Sequence, residues 1–114
     1  MASGPTTSLA VSPDRSRLIA SARWVRRGGL SSLAVEPSPS QRGHPTLAWA
    51  EAGWRQLVAR VPAAATPGMR EQYVCHVLFA PTKARFYLEP WRPAQTLAQT
   101  VLEACNPGPR KDLG

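Results

Sequence analysis

Lysine is nearly missing from this chain of 114 residues, cysteine and histidine occur twice each, and no apolar run is long. Each shortage excludes something. The longest apolar stretches, such as Tyr73 to Ala80, fall far short of the roughly 20 residues a membrane helix requires, so no transmembrane segment is expected. Met1 to Ser16 lacks the continuous apolar stretch of a signal peptide, which leaves a cytosolic protein or the mature part of an exported one.

With so few reactive side chains the catalytic inventory is thin. Cys75 and His76 are adjacent, and neighbours do not face each other on a helix or strand, so they make a poor nucleophile and base. Glu36, Glu51, Glu71, Glu89, Glu103, Asp14 and Asp112 are scattered singly. The one enzymatic alternative is a small hydrolase using His76 and Glu89 in a cleft. A set of His44, Cys75, His76 and Cys105 matches no standard zinc spacing, so no metal is expected. "RRGGLSS" lacks the lysine and following helix of a phosphate cradle, and no cofactor is implied.

What the chain does have is patterning. Leu18, Ala20, Ala22 and Trp24 alternate with polar residues, a second alternating run covers Leu30 to Glu36, and Gly28-Gly29 lies between them. Two glycines can both take the positive φ of a type I′ hairpin turn. Counting outward pairs Trp24 with Leu33 and Ala22 with Val35 on a core face, leaving Arg23, Arg27 and Ser32 toward solvent. After the Pro/Ser-rich loop 37–45, with Pro45 expected in the first turn, Leu47, Ala50, Trp54, Leu57, Val58 and Val61 form an apolar stripe at helical spacing. Trp49 points away from it with Gln56 and Arg60, as a surface residue.

Thr66 as cap and Pro67 at the first position predict a helix over 67–79, although Tyr73, Cys75, Val77 and Phe79 also alternate as a strand would. Residues 83–90 read as a strand. A last helix is expected from Pro93 or Ala94 to Cys105, with Leu97, Ala98, Val101 and Ala104 on its apolar side and Asn106 as a left-handed cap. Ser8 to Val11 carries a stray strand pattern.

Cys75 in "YVCHVLF" and Cys105 in "EACNPG" fall where buried side chains are expected, which favours a pair. A disulfide would close a loop of about 30 residues and contribute roughly 3 to 4 kcal/mol to a small core. Two buried thiols, or a metal or redox site, are the alternatives. An oxidised pair would imply export.

The net charge of +7 attracts polyanions, and Arg23, Arg26 and Arg27 cluster on the hairpin. Twelve arginines against two lysines, with abundant Ala, Pro and Gly, also look like high-GC codon usage. Few aromatics remain for base stacking, so nucleic acid is not the expected partner. In "LEPWRP" each proline holds the residue before it extended, which makes Leu88 to Pro93 stiff. Trp91 is expected to plug the end of the core with Glu89 paired to an arginine. The other reading makes Trp91 and Arg92 a preorganised binding anchor.

Together "ARWVRRGG", "PGMREQYVCH", "LEPWRP" and "CNPG" resemble the family catalogued as domain of unknown function 2599, found mainly in exported actinobacterial proteins. The likeness spans Arg23 to Gly108. The chain departs after Pro93, where "AQTLAQT" stands in place of an Asp-Val-Gly-Tyr type of continuation. The resemblance implies export and the cysteine pair, and nothing catalytic.

The resulting expectation is a single, disulfide-stapled α+β domain over 17–106, with flexible segments at 1–16 and 107–114. A small antiparallel sheet of residues 17–26, 30–36 and 84–89 packs against two or three helices. Its expected role is a non-catalytic exported or cell-envelope interaction domain that binds an unknown protein or envelope component through Trp49, Trp91, Arg92 and the hairpin arginines. Binding of anionic polymers or surfaces through arginines is a further alternative.

Overall fold

The computed structural model describes residues 15–110, so the strand pattern at Ser8 to Val11 lies outside the described residues. Strand β1, Ile19–Arg27, turns at Gly28 (φ 58°) and Gly29 (φ 79°) into β2, Leu30–Pro37. Both glycines are left-handed, as the I′ turn demands. The register is the one counted from the turn, with Trp24 opposite Leu33 and Ala22 opposite Val35. Strand β3, Phe86–Leu88, joins the other edge of β2 antiparallel, giving a three-stranded sheet in the order β1-β2-β3.

The faces differ from the expectation. Ser32 and Ala34 are as buried as Leu33 and Val35, so the central strand is covered on both sides, while Trp24 is 40% exposed. Alternation reports two faces but not whether the second is also covered. Trp24 lies on β1, an edge strand of this sheet, opposite Leu33, whose other neighbour is Leu88 of β3.

Four helices follow from their caps. Ser38 caps α1, Pro39–Arg42, a short turn inside the expected loop. Thr46 caps α2, Leu47–Arg60, so Pro45 precedes the helix instead of opening it. A 3₁₀ turn, Pro62–Ala64, leads to α3, Met69–Phe79. Here the cap is Gly68 at φ 90°, and Thr66 and Pro67 lie outside the helix. Six consecutive residues of α3, Gln72 to Val77, are buried, which is why its sequence showed neither period cleanly. Helix α4, Leu97–Leu102, is capped by Thr96 and is shorter than expected. The left-handed residues that end it are Ala104 (φ 56°) and Cys105 (φ 69°), not Asn106. The residue of α4 that is buried is Thr100, while Leu102 is 78% exposed.

The core gathers Leu33, Val35, Phe86 and Leu88 from the sheet with Ala50 and Leu57 of α2 and Met69, Tyr73, Val74 and Val77 of α3. Leu47 heads the expected stripe but is 49% exposed. Trp49, expected on the surface, is 7% exposed. Gln56 and Arg60 on the same side dock the start of β1: Leu18 N–H donates to Gln56 Oε1 at 2.8 Å, and Arg60 donates to the Ile19 carbonyl at 2.8 Å. Helix α2 is therefore covered on two sides. It also passes very near α1 and α3 at Gly53, where a Cβ would overlap Gln41 Oε1, the acceptor for the Tyr73 hydroxyl at 2.7 Å. The Cys75–Cys105 disulfide ties α3 to the turn after α4, with Cα atoms 5.5 Å apart.

Candidate functional site

His76 and Glu89 are both buried, but they face different surroundings. His76 Nδ1 lies 2.6 Å from the Gln72 carbonyl, which can only accept, so Nδ1 carries the proton. Burial lowers its pKa to about 4, an effect opposed by that hydrogen bond and reinforced by the Lys83 and Arg92 charges. Glu89 is held by the side chain of the same Gln72 and by Arg92. Its backbone N–H donates to Gln72 Oε1 at 2.8 Å, its carbonyl accepts from Gln72 Nε2 at 3.0 Å, and its carboxylate pairs with Arg92 at 2.9 Å. His76 lines a surface groove whose lining does not include Glu89. The two residues do not form one concave site, and nothing in their geometry favours a hydrolase.

The stiff "LEPWRP" segment turns its charges inward. Arg92, expected as half of an exposed anchor, is 2% exposed. Its Nε donates to Glu89 Oε1, Nη1 to the Pro107 carbonyl at 3.0 Å and Nη2 to the Arg110 carbonyl at 2.6 Å. One guanidinium thus joins the end of β3 to the segment after α4. The second carboxylate oxygen of Glu89 lies 3.7 Å from Arg27, whose guanidinium also stacks 3.8 Å from the Tyr87 ring. Trp91, expected as a plug, is only half-buried, with its indole 4.5 Å from the Arg92 guanidinium. Gln72 and Gln41, both fully buried, are the polar residues sequence reasoning passed over. Charged neighbours, Arg70 and Glu71 before Gln72 and Arg42 after Gln41, made both look like surface positions.

Trp49 lies flat against His44, rings 3.9 Å apart and 12° from parallel, and the Arg15 guanidinium sits 4.2 Å from its indole. It is occupied within the fold. Arg23 and Arg26, by contrast, are exposed near the hairpin end on either side of Trp24.

The second surface feature is a groove of about 290 Å³ between the C-terminal half of α3 and the end of α4. Phe79, Ala80, Val101 and Ala104 give it apolar walls, the disulfide lines it, and His76 and Lys83 contribute polarity. Among the described residues no three metal-ligating side chains converge, and no helix is long and apolar enough to cross a membrane.

The family described as protein of unknown function (DUF2599) matches residues 19–108. The chain belongs to this family. The matched range opens on the first residue of β1 and closes one residue after Pro107, whose carbonyl Arg92 holds. The DUF2599 region is thus the hairpin, the helices and the segment clamped at their end. Similar curated proteins are uncharacterised mycobacterial ones. Those of Mycobacterium bovis and Mycobacterium tuberculosis H37Rv are each 38% identical over 103 residues, covering 84% of this chain and 70% of theirs. One from Mycobacterium leprae is 30% identical over 93 residues, covering 75% of this chain and 76% of its own. No solved structure matches the chain. Within this DUF2599 fold, "PGMREQYVCH" and "LEPWRP" supply Gln72, Glu89 and Arg92, the residues that hold backbone and one another.

Proposed function

We propose that this DUF2599 chain is a non-catalytic interaction domain of an exported or cell-envelope protein, and that it meets an anionic envelope component through the far end of its hairpin. The observation that carries this reading is Trp24, an aromatic left 40% exposed with exposed Arg23 and Arg26 beside it. On a strand Trp24 and Arg26 share one face and Arg23 and Arg27 the other, so the hairpin end offers cations on both sides. A tryptophan among arginines suits a surface that is anionic outside and partly apolar beneath. Support for export comes from the disulfide, since such bonds persist in oxidising compartments, and from the family resemblance. Arg92 and Trp49 are buried within the fold, which favours the exposed hairpin arginines over them as contact residues.

Sedimentation with phosphatidylglycerol vesicles, and with phosphatidylcholine vesicles as control, tests this. Binding is expected to the anionic vesicles only, to fall steeply with salt, and to drop at least tenfold in the Arg23→Glu, Arg26→Glu double variant. No binding at low ionic strength, or binding indifferent to the double substitution, contradicts the reading.

A further inference from the structure

We propose a second binding site, independent of the hairpin: the groove between α3 and α4 takes a small apolar carboxylic acid that carries a hydroxyl on its chain. At about 290 Å³ the groove is near the lower limit of small-molecule sites, too small for a folded partner and suited to a ligand of about ten heavy atoms. Its walls explain one exposure that the core does not. Phe79 is 62% exposed although it ends the most buried helix of the fold, and it stands on the groove with Val101 of α4. An apolar chain laid between them would cover both.

Polar groups at the same place define the rest of the ligand. His76 is 2% exposed and lines the groove. Its Nδ1–H is committed to the Gln72 carbonyl, so Nε2 presents a lone pair, and no hydrogen bond within the described residues takes it. A neutral imidazole on the groove wall offers an acceptor, to which a hydroxyl can donate and a carboxylate cannot. The head group is set by Lys83, which is exposed, borders the groove and enters none of the ion pairs among the described residues. Its backbone is held: Lys83 N–H donates to the Ala80 carbonyl at 3.1 Å, and Arg42 donates to the carbonyls of Pro81, Lys83 and Ala84. The cation is therefore presented from a fixed loop, and its field reaches His76, whose protonation it opposes. Apolar walls, an acceptor inside and a cation at the margin are complementary to an apolar chain, a hydroxyl and a carboxylate.

Titration of the ¹⁵N-labelled oxidised protein with octanoate, a series of hydroxyoctanoates, octanol and octylamine tests the proposal. Octanoate is expected to bind saturably with a dissociation constant on the order of a millimolar, the strength a ligand of this size reaches. Amide shifts should centre on Phe79, Lys83 and Val101, and at least one hydroxyoctanoate should bind severalfold tighter while moving the His76 Nε2 resonance. Lys83→Glu should weaken octanoate about tenfold and leave octanol unchanged. Val101→Trp, at a partly exposed position, should fill the groove and abolish binding of both, with the folded spectrum retained. Shifts confined to Trp24 and the hairpin, equal binding of octanoate and octylamine, or a His76 Nε2 that never responds each overturn the proposal. None of these results bears on vesicle binding by the hairpin, so the two readings fail separately.

Discussion

Gln72 and Glu89, 17 residues apart, hold each other as neighbouring strands would: the Glu89 N–H donates to Gln72 Oε1 at 2.8 Å and Gln72 Nε2 donates to the Glu89 carbonyl at 3.0 Å. A side chain of α3 takes the place of a fourth strand where β3 ends. Both residues are fully buried, so removing the amide strands a backbone donor and a backbone acceptor away from water. Gln72→Leu, close in volume, is expected to cost about 2 to 4 kcal/mol in urea denaturation. A loss under about 1 kcal/mol would mean that the Glu89 backbone finds other partners.

Glu89 and Arg92 form a buried ion pair, and the arginine also satisfies two carbonyls beyond α4. Breaking such a pair from one side leaves an uncompensated charge. Arg92→Met should therefore cost about 3 to 5 kcal/mol, and adding Glu89→Gln should return part of it. Arg92→Lys should recover little, since one ammonium cannot span the carboxylate and both carbonyls. Denaturation of the four proteins of the cycle decides this, and strictly additive losses would argue against the coupling.

How far the sequence reveals these features depends on what each one rests on. The hairpin register was legible because Gly28-Gly29 permits one turn type and period-2 alternation does the rest. Helix α2 was legible from its stripe, but its faces were not. A wheel count assumes one buried side, and Trp49 is covered from the other by His44 and Arg15, residues the count never considers. The interior hydrogen bonds were illegible for a related reason. Gln72 looks like an ordinary polar residue and Arg92 like an exposed anchor until the fold shows that each is pointed at backbone left unpaired elsewhere. The groove depends on α3 and α4 meeting through the disulfide, a long-range contact that local pattern does not encode. Cys75 and Cys105 could be suspected of pairing because two core-like cysteines stood in a chain with no others and because the family resemblance implied the pair.

The two tryptophans exchange their expected roles. From the sequence alone Trp91→Ala would be the costly substitution and Trp49→Ala nearly neutral. With Trp49 stacked and 7% exposed and Trp91 only half-buried, the order reverses. Trp49→Ala is expected to cost about 3 kcal/mol and Trp91→Ala about half of that. Chemical denaturation of the two single variants gives the ranking directly.

Ala104 carries a left-handed φ of 56° where an L side chain is disfavoured, and it is exposed. Glycine would relieve that strain. Ala104→Gly should therefore raise stability by a few tenths to about 1 kcal/mol, against the usual cost of a flexible glycine. A measured loss would show that the flexibility glycine adds to the unfolded chain outweighs the relieved strain.

Stability should also fall in mild acid through His76. Burial, the largest influence on it, lowers its folded pKa from an ordinary 6.5 to about 4. Above about pH 6.5 neither the folded nor the unfolded chain protonates this ring, and its contribution is fully present. Between about pH 6.5 and 4 the unfolded chain takes up a proton that the folded one refuses, so stability drops as pH falls, by up to roughly 3 kcal/mol in all. Below about pH 4 both states are protonated and the loss is complete. Carboxylates titrate over part of the same range, so the informative quantity is the difference between wild type and His76→Gln. Urea midpoints of the two proteins should change in parallel above pH 7 and converge on acidification, with the wild type losing more. A wild-type protein that loses no more than the variant between pH 7 and pH 4.5 would show that the folded protein accommodates the imidazolium, and that burial does not hold this ring neutral.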